Sequence, residues 1–101
     1  MLNLHLKTKT EKKLSFLIKS YKNEELFAEN IINQKISELK KGVFNIELDL
    51  NKFEKKYNLS TTDFYQKWEN GELGDSNEDY FIWSGIYEGL KRKKERLEKL
   101  Q

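Results

Sequence analysis

Cysteine and proline are both missing from this chain of 101 residues, and histidine occurs once. Without cysteine there is no disulfide framework and no thiolate metal site. With His5 alone there is no Cys–His pair, no paired-histidine site, and no other imidazole to activate a serine. Without proline nothing breaks a long helix. The glycines form no phosphate-cradling loop. Asp75, Asn77 and Asp79 imitate the first ligands of a calcium loop, but Tyr80 stands where the loop needs glycine and Ile86 where it needs a bidentate glutamate. No run approaches the roughly 18 apolar residues of a membrane span, and the first residues lack the apolar region of a signal peptide. The expectation is a soluble, cytoplasmic, mainly α protein that is not an enzyme and carries no cofactor or metal.

What is present is charge, 36% of all residues, and it is blocked along the chain. Residues 1–42 hold nine lysines against five glutamates, residues 43–90 four lysines against ten acids, and residues 91–101 six lysines or arginines against two glutamates. A basic head, an acidic body and a basic tail point to separate partners.

The most regular signal is a ladder of large apolar residues at Ile32, Ile36, Leu39, Val43, Ile46, Leu50, Phe53 and Tyr57, spaced alternately by four and three. On a helix this puts every side chain on one seam, which Ala28, Ile31, Phe44 and Leu48 are expected to widen. A helix over Glu24–Tyr57 spans about 50 Å and serves two neighbourhoods. Phe44, Ile46, Leu48 and Leu50 also alternate with polar residues, a strand pattern, and Gly42 is a poor mid-helix residue. The ladder holds on both sides of Gly42 and no turn cluster follows it, which favours a continuous or bent helix.

Ahead of the ladder, Leu2, Leu4 and Leu6 alternate with Asn3, His5 and Lys7, the pattern of a short strand. Thr8 and Glu11 form a Thr-x-x-Glu capping box for a helix with an apolar face at Leu14, Leu17, Ile18 and Tyr21. Asn23 caps the next helix, with Glu24 and Glu25 in its first turn. A strand, a helix of about a dozen residues, a tight turn and a longer helix resemble the ribbon-helix-helix fold over roughly Met1–Lys41. That resemblance implies an intertwined dimer whose paired strands enter the DNA major groove, as in prokaryotic repressors and antitoxins. It assigns Asn3, His5 and Lys7 to groove reading, with Lys9, Lys12 and Lys13 on phosphates. Independently, some 40 residues bury too little to fold alone, so a homodimer is expected.

After Tyr57, Asn58 suits a left-handed helix stop. Ser60 begins a capping signature for a short helix to about Asn70. Gly71-Glu72-Leu73-Gly74-Asp75 is a turn, and a last helix runs from about Glu78 to Leu100. Gly85 and Gly89 are expected to admit a neighbouring backbone. The stretch from Phe53 to Trp83 resembles a tail recurring in small prokaryotic antitoxin-like proteins. The division expected is therefore a head, residues 1–42, and a helical partner-binding region, residues 43–101. Aromatics crowd the latter. Most form a local core, but Phe64, Tyr65, Trp68, Tyr80, Phe81, Trp83 and Tyr87 cannot all face inward, and an exposed remainder suits a protein partner. The resulting expectation is an antitoxin-like transcriptional regulator that binds operator DNA and covers a basic, RNA-cleaving toxin. The competing expectation is a helical scaffold protein that never touches DNA.

Overall fold

A computed structural model of the chain describes residues 4–101. Among them are four helices, α1 Thr8–Lys19, α2 Glu24–Tyr57, α3 Thr61–Glu69 and α4 Glu78–Leu100, and no strand. The expected ribbon-helix-helix fold is therefore corrected to an all-helical one. Leu4–Lys7 carry no regular structure, while Leu2 and Asn3 lie outside the described residues. The reason is that alternation specifies only which face a strand would bury. A strand also needs a second ladder to satisfy its backbone, and no other described segment is extended.

Gly42 does not interrupt α2, which is helical from Glu24 to Tyr57. Period seven over the whole ladder outweighs the short alternation from Phe44 to Leu50, because only the helical reading buries Leu39 and Leu50 together. The chain divides into two compact units, the first ending at Lys35 and the second beginning at Ile36.

In the first unit α1 begins at Thr8, one residue before the expected start. Its N-cap is Lys7, which makes no side-chain capping bond; Thr8 lies inside the helix, so the capping box does not form. Instead the Glu11 amide donates to the Lys7 carbonyl at 2.9 Å. Asn23 does cap α2, its Oδ1 accepting from the Leu26 amide at 2.8 Å. Tyr21 joins the two helices: its ring meets Phe27 edge-on at 5.3 Å, and its hydroxyl donates to Asn30 Oδ1 at 3.1 Å. No described residue of this unit is buried.

The second unit has the core. Phe64 and Trp83 are fully buried, with Leu50 and Leu90 beside them. The Trp83 ring stacks on Phe64 with centroids 3.9 Å apart and 3° between planes, and on Phe53 at 5.5 Å. The Trp83 indole N–H donates to Thr61 Oγ1 at 3.0 Å, which satisfies a polar group that burial would otherwise penalise. α2 and α4 run antiparallel: Tyr57 meets Tyr80, Phe53 meets Trp83, and Lys94 reaches Glu47 at 3.9 Å. α2 stops where Asn58 turns left-handed at φ 50°. The Glu54 carboxylate then accepts from the Thr61 amide at 2.7 Å, and Ser60 caps α3 by accepting from the Asp63 amide. Asn77 caps α4 through the Asp79 amide. Gly85 and Gly89 do not admit another backbone: a Cβ at Gly85 would meet nothing within 4 Å, and one at Gly89 only the Arg92 side chain.

Candidate interaction surfaces

The residues assigned to DNA fall on two kinds of structure. Asn3 lies outside the described residues. His5 and Lys7 are exposed on the irregular segment before α1, and Lys9, Lys12 and Lys13 are exposed on α1 itself. The groove-reading ribbon is thus not formed, although the lysines remain exposed. A residue the sequence reading passed over stands among them. Phe16 is 76% exposed and shares a shallow groove with Lys12, Lys13 and Leu17. The signal was available, since Phe16 falls outside the Leu14, Leu17, Ile18 and Tyr21 spacing, on the side of α1 that carries Lys9, Lys12 and Lys13. Leu4, Leu6, Leu17, Leu26, Ile31 and Ile32 are also exposed.

Of the seven aromatics proposed for partner binding, Phe64 and Trp83 are inaccessible to any partner in this fold, because they form the centre of the core. Tyr80 packs on Tyr57 and Phe64. Tyr65 and Tyr87 meet edge-to-face at 4.9 Å. Lys91 lies over both rings, at 4.3 and 4.8 Å from their centroids, and the Tyr65 hydroxyl donates to Glu88 at 2.9 Å. That bond to a carboxylate favours the protonated phenol and raises the Tyr65 pKa above its ordinary value. The exposed remainder is narrow: the half-buried Trp68 ring against Phe81, 4.9 Å apart, with Phe81 and Ile82 about half exposed. On α2 the seam is narrower than expected. Ala28, Ile31, Phe44 and Leu48 do not widen it but face outward, and of the ladder itself only the positions from Ile36 onward turn inward, Ile32 being exposed.

One polar network closes the end of the unit where α2 meets α4. Asp79 accepts from Lys56 Nζ at 2.6 Å and from the Tyr57 hydroxyl at 2.5 Å. The Asn77 side chain donates to that hydroxyl at 3.3 Å. The Lys56 hydrogen bond, then that of Tyr57, holds the Asp79 carboxyl below the usual aspartate range, and Asp79 in turn raises Lys56. The network joins ordinary structural partners and holds no nucleophile. Among the described residues no cluster of three or more His, Cys, Asp or Glu is arranged to hold a metal ion. Among the described residues, no helix is long and apolar enough to cross a membrane. Comparison of the chain with known proteins returned no matching family, no matching curated protein and no matching solved structure.

Proposed function

We propose that the chain is an antitoxin-like regulator that acts by binding rather than by catalysis, in the cytoplasm of a prokaryote. Its first unit pairs with a second copy and meets operator DNA through the lysines of α1. Its second unit covers a basic protein partner, an RNA-cleaving toxin on the resemblance that motivates the reading. The supporting observation is the first unit itself: it buries no described residue yet exposes Phe16, Leu17, Leu26, Ile31 and Ile32. Two helices with so little internal core need apolar surface from elsewhere. The acidic balance of residues 43–90, four lysines against ten acids, and the exposure of Phe81 and Ile82 in that stretch support the choice of a basic partner.

The lack of a strand over Leu4–Lys7 favours a second reading, a helical scaffold that pairs without touching DNA. A titration of the full chain with the DNA upstream of its gene, at two salt concentrations, separates the two. The regulator reading expects binding that weakens steeply with salt and loses its preference for the upstream sequence on replacing Lys9, Lys12 and Lys13 with glutamine. If the wild type fails to bind at low salt, the scaffold reading stands in its place.

A further inference from the structure

The basic tail of the sequence is not evenly solvated in the fold. α4 turns about 100° per residue, so Arg92, Arg96 and Lys99, spaced by four and three, fall on one outer side of the helix, with Lys93 on its flank. Of the two glutamates of this stretch, Glu98 falls on the other flank with Lys91 and Lys94, and Glu95 borders the stripe one turn from Arg92 and Lys99. Those two lysines are engaged: Lys91 covers Tyr65 and Tyr87, and Lys94 reaches Glu47. Among the described residues, Arg92, Lys93, Arg96 and Lys99 pair with no carboxylate.

The stripe is held in place. The Lys93 side chain lies against Gly42 of α2, its Cδ, Cε and Nζ all 3.5–3.6 Å from where a Cβ would stand. The Arg92 guanidinium folds back over Gly89, with Nη2 3.7 Å from the equivalent point. The attraction of cations to a helix C-terminus acts over the last turn only, so it does not account for Arg92 and Lys93, two turns earlier.

We propose that this side of α4 binds the phosphate backbone of a nucleic acid through Arg92, Lys93, Arg96 and Lys99, separately from the lysines of α1. The four cations extend over about 10 Å of helix, enough for two or three successive phosphates, and arginine offers phosphate a two-pronged donor that lysine lacks. A basic protein partner does not fit a side of the helix where four cations outnumber Glu88 and Glu95. An anionic membrane does not fit either, because an interfacial helix needs a continuous apolar face. Here Leu90 is buried, Leu97 half-buried, and only Leu100 emerges near the charges.

The test is fluorescence anisotropy on the full chain with a labelled 20-nucleotide RNA and a 20-base-pair DNA duplex, alongside sedimentation with phosphatidylserine vesicles. Each is run at two salt concentrations. The wild type should bind at least one nucleic acid and leave the vesicles unbound. Replacing Arg92, Lys93, Arg96 and Lys99 together with glutamine should lower affinity tenfold or more and flatten the salt dependence by roughly three units. The same loss should appear in a chain already carrying Lys9→Gln, Lys12→Gln and Lys13→Gln. Replacing Glu95 and Glu98 with glutamine should strengthen binding. If circular dichroism shows the fourfold variant unfolded, Arg92→Gln with Arg96→Gln carries the comparison. Unchanged affinity and salt slope in the folded variant would overturn the proposal. So would vesicle binding stronger than nucleic-acid binding, or no binding by the α1-lysine variant at low salt.

Discussion

Single residues decide most of what the second unit can tolerate. Trp83 and Phe64 have no solvent contact and stack on each other. Trp83→Ala or Phe64→Ala should cost about 3–5 kcal/mol in a urea titration, whereas Phe81→Ala, half exposed, should cost far less. Thr61→Val keeps the shape beside Trp83 but removes the acceptor of its indole N–H. That change should cost about 1–3 kcal/mol. Asp79 supplies a pH signature. Its pKa is lowered in the folded state, so the stability it contributes is present above the unfolded value, about 3.9, and is lost as pH falls through the lower folded value. An acid titration of stability should therefore slope downward below about pH 4 in the wild type, and less steeply in Asp79→Asn. At this scale the sequence was informative about caps and stops, since Ser60, Asn23 and Asn58 announce their roles by residue type alone. It was less informative about how deeply the aromatics are hidden. Phe81 and Trp83 are two positions apart, on opposite sides of α4; the spacing of Trp83, Ile86, Tyr87 and Leu90 sets Trp83 on the apolar side, but how deeply it is buried depends on α2 and α3.

Among the elements, α2 was the most legible, because eight ladder positions reinforce one another and outvote one glycine. Its bounds in the structure, Glu24 and Tyr57, are those read from the caps. The segment Leu4–Lys7 was the least legible. Three alternating leucines carry less information than eight, and a strand depends on a partner that a local pattern does not contain. Gly42 offers a direct check on α2. A Cβ there would sit 3.5 Å from the Lys93 side chain, an ordinary contact with a flexible neighbour. Gly42→Ala should thus gain up to about 1 kcal/mol of helix propensity, read as a higher melting temperature. A loss of stability would mean that α2 needs to bend at this point.

For the molecule as a whole, the contrast between the units sets the behaviour. The second unit has a closed aromatic core and should unfold cooperatively at a midpoint independent of protein concentration. The first has no buried residue among those described, so its order should depend on association, and amide exchange in α1 should slow as concentration rises. Exchange in α1 that is slow and insensitive to dilution would contradict this. The charge blocks were legible in composition, but their sorting by side of α4 required the helix register. Both tryptophans, Trp68 and Trp83, belong to the second unit, and the first contains none. Emission excited at the red edge of the indole band therefore watches one half of the chain and is blind to the other. A fluorescence melt of this protein will look like a single clean transition even when α1 has already come apart.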